Sequence, residues 1–102
     1  MKIHGNWDKE NWYGEVTVDG KPLLPENSLK VRNHSPDGFS WGYAGSGPAQ
    51  LALGILLAAG IRPPTALEYY QEFKREFLVD VKSLGPLDLE VDPVAWLERK
   101  RT

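Results

Sequence analysis

The sequence predicts an α+β domain, in which a small antiparallel sheet of three or four strands packs on two helices and a short C-terminal helix. Apolar and polar residues alternate in several segments of the first half of the chain. After Gly45-Ser46-Gly47 the chain becomes rich in alanine and leucine, and two later segments open with proline, as helices often do. With 102 residues, the chain has room for one domain.

The first half of the chain is expected to supply the strands. Residues 1–11 are polar and are interpreted as a loosely held N-terminal arm, which leaves residues 12–102 as the single α+β domain. Alternation from Trp12 to Val18 predicts the first strand, and the Asp19-Gly20 pair after it is a strong signal for a two-residue hairpin. The prolines within residues 21–25 limit the next segment to an edge of the sheet.

Two more strands are predicted on either side of a tight turn. Residues 28–34 alternate in polarity, and the segment 39–43 carries an aromatic residue at every second position. Ser35-Pro36-Asp37-Gly38 between them is typical of a β-turn, because proline suits the second position and glycine the fourth. We therefore expect an antiparallel hairpin with three aromatic residues on one face, namely Phe39, Trp41 and Tyr43.

The second half of the chain is expected to be helical. Pro48 is well placed to begin a helix that continues to Ala59, is apolar on nearly all sides and is therefore predicted to be buried, with Gly60 at its C-terminal end. A second helix is predicted from Pro63 to about Lys82, with charged residues on its outer face. A third, short helix begins at Asp92-Pro93 with Asp92 as its N-cap.

Composition narrows the classes of function. The 12 lysine and arginine residues against 14 acidic residues give a net charge of −2, which disfavours general nucleic-acid binding. The absence of cysteine excludes disulfides and a thiolate nucleophile. No apolar segment is long enough to cross a bilayer, and the N-terminus lacks the apolar core of a signal peptide. We expect a cytoplasmic protein without membrane contact, cofactor or metal.

The segment from Ser35 to Leu53 carries the candidate site. Its aromatic stretch leads into a glycine loop and a helix start, whose free N–H groups are typical of an anion cradle. We expect a phosphate group at the loop, neutralised by nearby basic residues, and a base stacked on Trp41 or Tyr43. The predicted ligand-binding residues are Lys30, Arg32, His34, Trp41, Tyr43, Gly45, Ser46, Gly47 and Gln50.

Other interpretations of the same segment stay open. The glycine loop is equally explained as a structural turn with Ser46 capping the helix, and the aromatic residues as core. Its glycine spacing matches neither a P-loop nor a dinucleotide fingerprint. His34 and Asp37 with Ser40 or Ser46 have the residue types of a hydrolytic triad, but no nucleophile elbow is present. A metal site would require His4 to converge with His34 and Asp37.

Residues 28–57 resemble a family of uncharacterised proteins, a domain of unknown function that looks common in phages and other mobile elements. The resemblance is carried by a motif from His34 to Leu53, written HSPDGF-x-WGY-x-GSGPAQLAL, and extends over about residues 12–97. It implies no activity and assigns no role to any residue. The setting of the family implies an accessory protein of a mobile element, and small proteins of that kind often act against host defences.

Two functions follow as expectations. The first is a non-enzymatic binding module with a counter-defence role that sequesters a phosphate-bearing small molecule, such as a nucleotide signal, in a pocket that a homo-oligomer would complete. The alternative is a protein–protein inhibitor or adaptor that acts on a host defence enzyme. Its contact surface would be the aromatic region of Trp7, Trp12 and Tyr13, or the charged second helix.

Overall fold

A four-stranded antiparallel sheet and four helices make up the fold, as the α+β prediction required. The computed structural model describes residues 1–102. The strands are β1 (Lys2–Asp8), β2 (Tyr13–Val18), β3 (Lys21–Pro22) and β4 (Leu87–Glu90), in the order β3-β2-β1-β4. The helices are α1 (Pro25–Val31), α2 (Ser46–Ala58), α3 (Pro63–Phe77) and α4 (Pro93–Arg101). None of the helices is both long enough and apolar enough to cross a bilayer.

The N-terminal segment is a central strand, so the prediction of a loosely held arm is wrong. β1 pairs along its whole length with β2 and, through its first four residues, with β4. Its side chains alternate between solvent and core, with Ile3 and Gly5 buried. The alternation is weak in the sequence because one of these two inward positions is a glycine. The strand is stable through its two neighbours rather than through its own composition.

Residues 28–34 do not form the predicted strand, because most of them belong to helix α1 or to the turn after it. Leu24 is extended (φ −91°, ψ 140°), and Pro25 then occupies the first turn of the helix, where its missing N–H is not needed. The Ser28 hydroxyl donates to the Pro25 carbonyl at 3.0 Å. Apolar spacing in a segment of seven residues fits a strand or a helix, and the proline decides in favour of the helix.

The predicted hairpin over residues 28–43 is also wrong, although its turn is present. The Gly38 N–H donates to the Ser35 carbonyl at 3.1 Å, which confirms the β-turn. Beyond it, the backbone of the segment pairs with the sheet only through an isolated bridge between Phe39 and Gly14. Phe39 and Trp41 are buried, whereas Tyr43 is exposed, so the three aromatic side chains do not share one face.

Several local predictions are confirmed. Asp19 (φ 50°) and Gly20 (φ 82°) form the β2–β3 turn, and β3 lies at the sheet edge. α2 is the buried central helix and lies between α1 and α3. The Asp92 carboxylate caps α4 by accepting the Ala95 N–H at 3.1 Å. α3 ends at Phe77 instead of Lys82, and strand β4 had no counterpart in the prediction.

The Trp41 side chain joins the sheet to the rest of the molecule. Its indole ring is fully buried against two glycines of the central strands. A Cβ atom at Gly5 or at Gly14 would lie 2.6 or 2.5 Å from this ring, so neither position has room for a side chain. Its Nε1 donates to the Gly85 carbonyl at 2.8 Å, which attaches the segment before β4 to the same core.

Gly14→Ala is expected to lower the free energy of unfolding by about 1–3 kcal/mol, because the new methyl group overpacks the Trp41 ring. Urea denaturation of the two proteins measures this difference. Asn6→Ala, on the exposed side of β1, serves as the matched control and is expected to change little. Equal denaturation midpoints for Gly14→Ala and the wild type would contradict the close contact.

Candidate functional site

An open cleft of about 340 Å³ lies where three segments meet: the end of β1 with the β1–β2 loop, residues 35–43, and the turn at residues 83–84. We call it the aromatic cleft. Its apolar walls are Trp7, Trp12, Phe39, Tyr43 and Leu84, and its polar side chains are Ser35, Asp37, Ser40 and Ser83. The cleft therefore combines aromatic surfaces with hydroxyl groups and one carboxylate.

Trp12 lines the aromatic cleft and is 66% exposed. The Asp8 carboxylate accepts the Glu10 and Asn11 N–H groups at 2.9 and 3.1 Å, and the Asp8 carbonyl accepts the Trp12 N–H at 2.8 Å. Hydrogen bonds, chiefly from the Asn11 side chain, hold the pKa of Asp8 below its ordinary 3.8. The loop leaves Trp12 at φ 61°, edge-to-face with Trp7 at 5.5 Å between ring centroids.

Leu84 also lines the cleft and, like Trp12, has a left-handed backbone, with φ 56°. It is 40% exposed. The turn that carries Leu84 packs on Gly42, because the Ser83 backbone lies directly against this glycine. Gly42 is in turn fixed by its N–H, which donates to the Leu78 carbonyl at 2.8 Å. Any side chain at Gly42 would collide with Ser83, and its φ of 91° also favours glycine.

One buried polar atom of Trp7 has no hydrogen-bond partner in the protein. The Trp7 indole Nε1 is buried and makes no hydrogen bond, and it is the one buried side-chain nitrogen or oxygen in this condition. Buried donors are normally paired, since an unpaired one costs roughly 1–3 kcal/mol. The Asp37 carboxylate, by contrast, is exposed and takes part in no ion pair within the chain.

Gln50, a predicted ligand-binding residue, is a buried structural node. Its Oε1 accepts the N–H groups of His34 and Ser35 at 2.7 and 3.2 Å. Its Nε2 donates to the Ser28 hydroxyl at 2.8 Å and to the Arg32 carbonyl at 3.1 Å. All of its hydrogen-bonding capacity is used to hold residues 28–35 on α2, which leaves none for a ligand.

The glycine loop makes room for the protein's own side chains. A Cβ atom at Gly45 would lie 2.5 Å from the Tyr43 ring, and one at Gly47 would overlap the Ser40 hydroxyl. Ser40 and Tyr43 share a hydrogen bond of 2.6 Å over this loop. The N-cap of α2 is Gly45, and no side chain caps the helix, so the alternative in which Ser46 is the cap is wrong.

Trp41 is fully buried, so its predicted stacking on a base is wrong and only Tyr43 has an open ring. Lys30 lies in α1 and Arg32 at its C-terminal end, not on a strand beside the loop. The structure thus separates the predicted residues into two groups. Tyr43 lies with Gly45 and Gly47, while Arg32 and His34 lie with Gln50.

His34 faces α3. Its Nε2 shares a short hydrogen bond with the Tyr70 hydroxyl, and the two rings are 5.3 Å apart. Burial and the nearby positive charges of Arg32 and Lys74 hold the pKa of His34 below its ordinary 6.5. Lys74 follows Tyr70 by one helical turn, and neither Lys74 nor Arg32 has an acidic partner. We call Arg32, His34 and Lys74 the basic cluster.

The catalytic and metal arrangements weighed on the sequence are not assembled. The His34 ring pairs with Tyr70 and the Ser40 hydroxyl with Tyr43, so neither contacts the other or Asp37. His4 pairs with Asp88 at 3.3 Å on the exposed side of the sheet. No group of three or more histidine or acidic side chains is arranged to hold a metal ion.

The sequence indicated part of the aromatic cleft. Trp7 and Trp12 had been named as a contact surface, and both line it, but Tyr13 instead donates its hydroxyl to Glu15 at 3.0 Å. Asp8 three residues before Asn11 is a recognisable signal for the turn that presents Trp12. Leu84 was missed, because the sequence around it contains no signal that predicts a leucine at positive φ.

Fold and site together define a small α+β domain with an exposed aromatic cleft. The chain belongs to a family of unknown function (DUF6166), whose model matches residues 6–96. The match begins inside β1, which is further toward the N-terminus than the resemblance had suggested. Neither the curated proteins nor the solved structures contain a significant match to this chain.

Gln50→Leu is expected to lower the free energy of unfolding by about 2–4 kcal/mol, because it leaves the His34 N–H and its other partners without hydrogen bonds. Urea denaturation at neutral pH measures the loss. Gln71→Leu is the matched control, since Gln71 makes one long bond of 3.2 Å from a half-buried site. A similar small loss for both variants would show that Gln50 is not the node described.

Proposed function

We propose that this protein is a binding protein that docks on another protein through its aromatic cleft and acts as an inhibitor or adaptor. The observation that carries this proposal is a pair of residues in the cleft wall. Trp12 and Leu84 both line the aromatic cleft and are exposed, and both have a left-handed backbone that bulky residues avoid.

The energetics of these two residues support an interaction surface. A residue held in a sparsely populated backbone region costs of order 1–3 kcal/mol, and such residues cluster at functional sites. Exposing a tryptophan as well leaves apolar surface in water that a partner would bury. Tryptophan and tyrosine, which line this cleft, are also the residues most enriched at the centres of protein interfaces.

The setting of the interaction stays a prediction. If the protein belongs to a phage or another mobile element, a counter-defence role follows, and the partner is a host defence enzyme. The cleft requires only that the partner present a protruding side chain, since the space of about 340 Å³ accepts one long side chain with its adjacent backbone.

Photo-crosslinking in the cells that produce the protein tests the proposal. A photoreactive amino acid replaces Ser83 inside the aromatic cleft and, as the matched control, Val94, an exposed apolar residue of α4. We expect a discrete partner to be captured from position 83 and not from position 94. The partner is then purified and its binding to the unlabelled protein is measured directly.

Trp12→Gly separates binding from folding in this assay. Glycine adopts a φ near 61° without strain, so the variant is expected to unfold at a midpoint close to the wild type. Capture from position 83 and direct binding are both expected to fall at least about tenfold, the loss typical of a central interface residue. Equal capture from both positions, or unchanged binding of Trp12→Gly, would contradict the proposal.

A second candidate function is sequestration of a phosphate-bearing small molecule, and the basic cluster is the observation that favours it. The positive charges of Arg32 and Lys74 act on His34, and neither cation forms an ion pair with a carboxylate. Such a cluster attracts an anion, and the Tyr70 hydroxyl and Gln71 amide beside it offer further hydrogen bonds. Of the predicted site residues, this position uses Arg32 and His34 but not the glycine loop.

Sulfate binding tests the basic cluster, because the charge of sulfate is constant across the pH range used. The pKa of His34 is held below its ordinary 6.5, so the imidazole gains its positive charge only at a more acidic pH than an ordinary histidine. Sulfate affinity, followed by NMR, is therefore expected to rise as the pH falls through this lowered pKa. Arg32→Ala is expected to weaken binding and Arg99→Ala in α4 to leave it unchanged. Binding that does not depend on pH or on Arg32 would exclude the cluster.

A further inference from the structure

We infer that the aromatic cleft is built to hold a positively charged side chain of its partner, and specifically an arginine. This inference rests on the proposed function and adds the chemistry of the group that is recognised. Three features of the cleft carry it: the sign of its charge, the kind of ring surface it offers, and a similar arrangement elsewhere in the same chain.

The charge of the cleft favours a cation. Asp37 is the one charged residue among the ten that line it, and no lysine, arginine or histidine is present. The neighbouring carboxylates of Asp8 and Glu15 are already hydrogen-bonded within the chain, to the β1–β2 loop and to Tyr13. Asp37 is free to pair with a cation that enters the cleft, whereas an anion would be repelled by this carboxylate and would find no positive charge among the lining residues.

The ring surfaces of the cleft favour a guanidinium group. The Trp7 and Trp12 rings lie nearly perpendicular to each other, at 75°. Tyr43, which also lines the cleft, is 45% exposed. Cations are attracted to the faces of such rings, most strongly to tryptophan. The planar guanidinium of arginine stacks on a ring and at the same time pairs with a carboxylate, which the compact ammonium of lysine does less well.

Elsewhere in the chain, a cation, a tryptophan ring and a carboxylate already interact with one another. Lys100 lies 5.7 Å from the centroid of the Trp96 ring, and its Nζ pairs with Glu76 at 2.9 Å. There, one cation, one tryptophan and one carboxylate satisfy each other, and Trp96 Nε1 donates to the same Glu76 at 2.9 Å. The aromatic cleft has the tryptophans and the carboxylate of this arrangement but lacks the cation.

The test uses two capped tripeptides, acetyl-Gly-Arg-Gly-amide and the same peptide with citrulline, a neutral side chain of nearly the same shape. NMR of the four indole N–H groups, assigned by single tryptophan-to-phenylalanine variants, provides the readout. The arginine peptide is expected to shift the Trp7 and Trp12 signals. Trp41 and Trp96, which donate to Gly85 and Glu76, serve as internal references and are expected to stay in place.

The carboxylate is tested by a matched pair of variants. Asp37→Asn is expected to weaken binding of the arginine peptide by about two- to fivefold, the size of an exposed ion pair. Glu98→Gln, which removes an exposed charge of α4 outside the cleft, is expected to leave binding unchanged. Citrulline is expected to bind at least about threefold more weakly than arginine, because it lacks the charge that the rings and Asp37 attract.

Three outcomes would overturn the inference: equal binding of the two peptides, equal loss in Asp37→Asn and Glu98→Gln, or no shift of Trp7 and Trp12 up to tens of millimolar peptide. The proposed function is judged separately by crosslinking from position 83. If that capture persists while the arginine peptide fails, the docking surface stands and only its preference for arginine is wrong. If both fail, the aromatic cleft is not a docking surface.

Discussion

The close contact of the Trp41 ring with Gly5 and Gly14 is the constraint on which the rest of the structure depends. It requires two positions without side chains on adjacent strands, and it holds those strands against the core. The same indole fixes Gly85 through its N–H, next to the turn that carries Leu84. One buried side chain therefore sets the relative positions of all three segments that wall the aromatic cleft.

Gln50 of α2 is a second buried side chain that fixes a segment of irregular chain, residues 32–35. The chain between α1 and the β-turn is irregular, and the Arg32 N–H, which donates to the Ser28 carbonyl, is its only link to the backbone of a helix or strand. A single amide satisfies the N–H groups of His34 and Ser35 and the carbonyl of Arg32. An amide side chain that makes a ligand site plausible in a sequence can equally satisfy buried backbone, and here this second role explains Gln50. The glycine loop has a different structural role, because it leaves room for the Tyr43 and Ser40 side chains.

How far the fold could be predicted depends on whether each element is determined locally. The Asp19-Gly20 turn, the Asp92 cap and the apolar character of α2 are properties of a few neighbouring residues, and all three were predicted correctly. β1 and β4 pair with each other across more than eighty residues of sequence, and neither is recognisable alone. α1 was mistaken for a strand because a short apolar alternation fits both periods.

The candidate site divides in the same way. Trp7 and Trp12 stood out because two tryptophans in a mostly polar segment suggest a contact surface. Asp37 was considered only for a hydrolytic triad or a metal site, and Leu84 was overlooked, because both become part of a cleft only when the turn at residues 83–84 meets the segment at 35–43. Trp41 was assigned to a ligand although it is core, since alternation alone does not show which face of a segment is covered.

The position of β1 in the sheet has a consequence for how the chain is made. β2 follows β1 directly in the chain, but the other neighbour of β1, strand β4, comes more than eighty residues later. During synthesis one edge of β1 therefore remains unpaired until β4 has also been translated, and an open strand edge can pair with other chains. The polar side chains of β1 that face solvent, Lys2, His4 and Asn6, lower the risk of such pairing until β4 is in place.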